Sequence, residues 1–256
     1  MISCYQGGKT MITISVCAQK GGVSKTTTSE ALILYLRKLG YSVLAMDLDQ
    51  QGNLTSYLNP DAKYSVFDLV YGKVNPKECV EKDLIAGGLG LRYLPEYFKE
   101  NELTSLGDAV KKVGGNYDFL IIDTPPAINT VVLSALANSD YVVMPTEPTK
   151  DSLDGIRKTV QAIEATQSKV NPKVKVLGVL LVKYKERYTL HKQFREAIAS
   201  AEKFKLFNTV IRESQAINNA KTSNHDFFDK DFSRANAVKD YVAFVNEVLE
   251  RVGMKK

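Results

Sequence analysis

The sequence has little cysteine: Cys4, Cys17 and Cys79 are odd in number and far apart. That excludes a disulfide framework and a four-thiolate metal site, and a reduced cytoplasm is the natural setting. Long apolar runs are missing too. None nears the roughly 18 residues of a membrane span, and the first residues lack the charged, apolar and cleavage regions of a signal peptide, so no export is expected. The 256 residues hold no repeat, no low-complexity tract and no Pro/Gly/Ser-rich divider, so we expect one domain over residues 11–256 behind an N-terminal tail of residues 1–10. His191 and His225 stand alone and read as structural or exposed side chains rather than metal ligands. A helix-turn-helix module has no room before the first strand, which argues against sequence-specific DNA reading of that kind.

Charge is present but unevenly placed. The formal net charge is +5, and residues 183–239 alone carry twelve Lys/Arg against seven Asp/Glu. The rest of the chain is therefore neutral. A basic C-terminal third on a neutral body fits a polyanion-binding face, and equally a solvated surface.

Apolar, β-rich runs recur at residues 12–17, 43–46, 119–122, 141–144 and 176–182. Their apolarity is continuous rather than alternating, as expected of strands covered on both sides. Between them lie amphipathic stretches at 27–39, 105–113, 153–165, 190–201 and 235–252, the first stopped by Gly40. The expected class is α/β, with a mostly parallel central β-sheet flanked by helices on both faces.

Directly after the first strand comes Lys20-Gly21-Gly22-Val23-Ser24-Lys25-Thr26-Thr27. Glycines let backbone wrap phosphates closely, and the helix N-terminus that follows aims N–H groups at them. Lys25 would reach the β- and γ-phosphates, and the Thr26 hydroxyl would ligate Mg²⁺. The second element is Met46-Asp47-Leu48-Asp49-Gln50-Gln51-Gly52-Asn53, two aspartates at a strand's end pointing toward the crevice where α/β sheets bind ligands. The third is Tyr117-Asp118-Phe119-Leu120-Ile121-Ile122-Asp123-Thr124-Pro125-Pro126, an apolar strand running into Asp123, an acid placed to hold Mg²⁺ through water.

With its second lysine at Lys20, the loop resembles the deviant Walker A motif of the ParA/MinD superfamily of P-loop NTPases, and Asp-Thr-Pro-Pro after the third strand resembles its ParA/Soj members. The likeness extends through Pro145-Thr146-Glu147-Pro148, Ser152-Leu153-Asp154-Gly155 and Thr209-Val210-Ile211-Arg212-Glu213-Ser214. The resemblance implies that Lys20 reaches the nucleotide of a second subunit in an ATP-bound homodimer. It implies that Asp49 orients or activates the attacking water, that Asp47 lies near the Mg²⁺ shell, and that Asn208 and Thr209 approach the base. Ser24 stands where members often have glycine.

Two functions fit such an ATPase. In a partition ATPase, ATP-bound dimers coat nucleoid DNA without sequence preference through Lys192, Arg195, Arg212, Lys221, Arg234 and Lys239, and a ParB-like partner stimulates hydrolysis. In a MinD-like protein, the amphipathic C-terminal stretch cycles on a membrane, a reading that Glu247 and Glu250 disfavour. Nitrogenase-iron-protein, bacterial tyrosine kinase and dinucleotide-binding readings lack, respectively, the bridging cysteines, the terminal tyrosine cluster and the Gly-x-Gly-x-x-Gly fingerprint.

Overall fold

Strands that are apolar throughout need cover on both sides, and the chain supplies it. The computed structural model describes residues 11–223 and 225–254; the expected tail at 1–10 lies outside the described residues. In chain order, β1 (Ile12–Val16) is followed by α1 (Lys25–Lys38), β2 (Val43–Asp47), α2 (Asn53–Leu58), α3 (Val66–Val70), β3 (Leu84–Ile85), α4 (Leu94–Glu100), α5 (Ser105–Val113) and β4 (Phe119–Asp123). Next come α6 (Thr130–Ala137), β5 (Tyr141–Thr146), α7 (Ser152–Lys169), β6 (Lys175–Tyr184), α8 (Thr189–Ala199), β7 (Leu206–Arg212), α9 (Ala216–Thr222) and α10 (Asn236–Arg251).

The strands form one parallel seven-stranded sheet in the order β3-β2-β4-β1-β5-β6-β7. Alternate side chains sort to opposite faces. Ile14, Val43, Ala45, Ile121 and Leu180 pack with Leu32, Leu36, Tyr241 and Phe244 of α1 and α10. Leu44, Met46, Leu120 and Ile122 pack with α3, α4 and α5, while Val142, Met144, Val179 and Leu181 meet α7 and α8. Helices on both faces were the expectation, and the structure has them.

The chain builds β2 and β3 on one side of β1, returns with β4, and then crosses to β5, β6 and β7 on the other side. This reversal opens a crevice at the carboxyl ends of the central strands, where open α/β sheets bind ligands. Register brings the acids there: Val16 and Asp47 each pair with Asp123 across β4.

The C-terminal helix uses its apolar face internally. Tyr241, Phe244, Val245, Val248 and Leu249 are all buried against the sheet. Glu247, read from the sequence as an acid that disfavours a bilayer, turns inward: its carboxylate accepts from the Asn208 and Thr209 backbone N–H groups of β7 at 2.8 and 3.0 Å. Among the described residues no helix is long and apolar enough to cross a membrane.

Candidate nucleotide-binding site

The loop between β1 and α1 has the backbone that phosphate wrapping requires. Gly22 has φ 77° and Ser24 φ 57°, both left-handed. Glycine adopts that conformation at least cost, which explains the residue type often found where Ser24 stands. The Ser24 carbonyl accepts from the N–H and hydroxyl of Thr28, at 2.9 and 2.8 Å, pinning the loop to the helix. At Gly21 and Gly22 the space a side chain would fill is open, leaving a cradle over the helix N-terminus. Lys25, the first residue of α1, is buried, whereas Lys20 on the rim is exposed.

The Thr26 hydroxyl donates to Asp123 Oδ2 at 2.8 Å, and the Ser29 hydroxyl donates to Oδ1 at 2.8 Å. Asp123 is fully buried; burial first, then the neighbouring Asp47 carboxylate, raise its pKa to about 7, opposed by the two hydroxyls and Lys25. Such a group gains from a divalent cation within reach. The hydroxyl and carboxylate oxygens are hard donors of the kind Mg²⁺ takes, with water and phosphate completing its shell. Among the described residues no group of three His, Cys, Asp or Glu could hold a metal alone.

Asp47 lies beside Asp123 in the register of β2 and β4. It is fully buried, and its carboxylate accepts from the Asp49 N–H at 3.0 Å and from the Thr55 N–H and hydroxyl at 2.9 and 2.8 Å. Burial raises its pKa to about 6 despite these donors. Asp49 lies in the adjoining loop, and its Oδ1 accepts from the Gln51 N–H at 3.0 Å.

A family model described as an AAA domain matches residues 11–176. The chromosome-partitioning ATPase Soj of Thermus thermophilus is 33% identical over 77% of this chain and 80% of its own length. The sporulation initiation inhibitor protein Soj of Bacillus subtilis is 30% identical over 81% of this chain and 86% of its own. The chain belongs to the ParA/Soj family of P-loop ATPases. Cyanothece McdA in complex with ATP shares the fold at TM-score 0.84 and 22% identity, covering 97% of this chain and 99% of the other. So does cobyrinic acid a,c-diamide synthase from Mycobacterium smegmatis with an ATP analogue and magnesium, at TM-score 0.81 and 24% identity, over 95% and 96%.

In this member of the ParA/Soj family the residues expected near the base and the DNA lie in β7, α8, α9, α10 and the segment leading into α10. Asn208 and Thr209 lie inside β7, their backbone N–H groups bound to Glu247, and neither lines the cavity beside the phosphate loop. That cavity, about 240 Å³, is walled by Ser24, Thr27, Lys183, Ser214 and Asn218 among others, drawn from the phosphate loop, the head of α1, the end of β6 and the segment beyond β7. A larger one of about 650 Å³ lies on the other side of the loop between Lys20, Ala127 and the start of α7 at Asp151 and Asp154.

Among the six basic candidates, Lys192, Arg234 and Lys239 are exposed. Arg212 is partly exposed, and its guanidinium grips Asp240 in two hydrogen bonds of 2.9 and 2.6 Å. Lys221 faces inward onto Glu30 of α1 at 2.8 Å, and Arg195 donates to the Asn208 carbonyl at 3.1 Å. Fixed ion pairs cannot be read from a local charge count, because their partners lie far away in sequence.

Sequence reasoning also missed Lys183. At the end of β6 it donates to the Gly22 carbonyl at 2.9 Å and pairs with Glu147, tying the phosphate loop to two strand ends. Nothing local marked it, since 161 residues separate the partners.

Proposed function

We propose that the chain is an ATP-switched partition ATPase that binds ATP and ADP with Mg²⁺ in the crevice above β1, β2 and β4. The observation that carries this reading is the meeting of Thr26 and Asp123 at 2.8 Å directly behind Lys25 at the head of α1. Lys25 and the loop N–H groups would take the β- and γ-phosphates, and Thr26 with Asp123 would hold the metal. Bound there, Mg²⁺ neutralises phosphate charge. Asp49 would orient the attacking water. Lys20, exposed on the rim, cannot easily curl onto its own phosphates and is the cation to offer a second subunit's γ-phosphate.

ATP then closes a homodimer whose doubled basic surface binds DNA without sequence preference, in the cytoplasm on the nucleoid, until a ParB-like partner stimulates hydrolysis. Lys192, Arg234 and Lys239 remain the cations that would meet DNA phosphates; the apolar face of α10 is committed to the sheet, which removes the surface a membrane cycle would use. The test is binding to unrelated DNA with ATP, ADP or no nucleotide at two salt concentrations, with liposomes as control. ATP-dependent, salt-sensitive binding to DNA is expected. Binding to liposomes alone, or to DNA regardless of nucleotide, would overturn it.

A further inference from the structure

Asp49 sits in a loop, between the end of β2 and the start of α2, so its carboxylate is only as well placed as whatever holds that loop. The structure supplies a holder from two distant segments. The Gly87 N–H donates to Thr55 Oγ1 at 2.7 Å, and that hydroxyl in turn donates to Asp47 Oδ2 at 2.8 Å. Asp47 Oδ1 then accepts the Asp49 N–H at 3.0 Å. A chain of hydrogen bonds thus runs from the end of the β3 edge to the backbone of Asp49.

Space is controlled as closely as hydrogen bonding. A Cβ on Gly87 would lie 2.8 Å from Asp47 Cγ and 3.0 Å from both Asp47 Oδ2 and the Asp49 carbonyl oxygen. Any side chain there pushes directly on both aspartates. The requirement is for room rather than torsional freedom, because Gly87 does not have positive φ. Gly52, which closes the same loop, has Gly88 as its neighbour, with the space for a Cβ lying 3.7 Å from Gly88 Cα.

We infer that Thr55 and Gly87 are positioning residues for ATP hydrolysis, acting through Asp47 to set the Asp49 carboxylate against the attacking water. The inference rests on the proposed role of the site and extends it to residues that touch neither nucleotide nor metal. Reaction rates are sensitive to such placement: an error of about 1 Å can cost on the order of a hundredfold. The fully buried Asp47 carboxylate and the Gly87 N–H both use the Thr55 hydroxyl as a partner, so removing that hydroxyl loosens both.

The experiment compares wild type, Thr55→Val, Thr55→Ser and Gly87→Ala in steady-state ATP hydrolysis, direct ATP titration and thermal unfolding. Valine keeps the shape of threonine and removes the hydroxyl. We expect Thr55→Val to lose about tenfold or more in kcat while its ATP affinity stays within about twofold, Thr55→Ser to return to within about threefold of wild type, and Gly87→Ala to fall with Thr55→Val. Wild-type kcat in Thr55→Val would overturn the inference, as would a loss of ATP affinity parallel to the loss of turnover that serine fails to restore. The proposed function fails separately, and takes this inference with it, if wild type neither binds nor hydrolyses ATP.

Discussion

Thr26 and Asp123, 97 positions apart, meet in a 2.8 Å hydrogen bond that joins the head of α1 to the end of β4. Because the same carboxylate takes the Ser29 hydroxyl, the acid is held from two successive turns of one helix. Asp123→Asn keeps the shape and removes the charge. We predict that it raises the Mg²⁺ concentration needed for half-maximal ATP hydrolysis at least about tenfold, read from a magnesium titration of turnover. An unchanged magnesium requirement would remove Asp123 from the metal site.

Lys25 is buried at the start of α1. Lys25→Ala removes the main cation from the β- and γ-phosphates and should weaken ATP binding about ten- to a hundredfold in a direct titration. Affinity equal to that of wild type would contradict the role.

Glu30 and Lys221 pair between α1 and α9, with Glu30 fully buried. Burial raises the Glu30 pKa from 4.5 to about 7, against the opposing pull of Lys221. In that window the folded chain keeps a proton that the unfolded chain releases, so this group makes stability fall as pH rises from 4.5 to about 7 and level off above. Glu30→Gln should therefore be less sensitive to pH than wild type over that range, measured by denaturant unfolding. Lys221→Ala leaves the carboxylate buried and unpaired and should destabilise the fold by about 3 kcal/mol at pH 8.

The basic surface separates into usable and committed cations. Lys192→Ala, Arg234→Ala and Lys239→Ala should each flatten the dependence of log affinity for DNA on log salt by about one for each DNA phosphate left without its cation. Arg212→Ala should leave that slope as it is, because the guanidinium is bound to Asp240. Affinity measured at four salt concentrations distinguishes the two groups.

Much of this arrangement was legible from residues alone. Five strands showed as apolar runs because both sheet faces are covered, and the phosphate loop and Asp123 showed because their residue types serve chemistry that tolerates few substitutes. β7 did not show as an apolar run: the N–H groups of its Asn208 and Thr209 are taken up by Glu247 of α10, 39 and 38 positions away. β3 has two residues, too short for any periodicity. The place of Asp47 near the metal shell was implied by the resemblance alone, and its internal donors, two of them from Thr55, could not be read from the residues. Lys183 and Gly87 reach the site through the sheet's strand order, which no local pattern encodes.

In the proposed switch, ATP joins two subunits across the rim that Lys20 occupies. Sedimentation velocity of wild type and Lys20→Gln with ATP and Mg²⁺, then with ADP and Mg²⁺, tests this most directly. Wild type should sediment as a dimer with ATP and a monomer with ADP, while Lys20→Gln binds ATP and stays largely monomeric. Identical sedimentation of wild type in the two nucleotides, or a normal ATP-dependent dimer of Lys20→Gln, would contradict it.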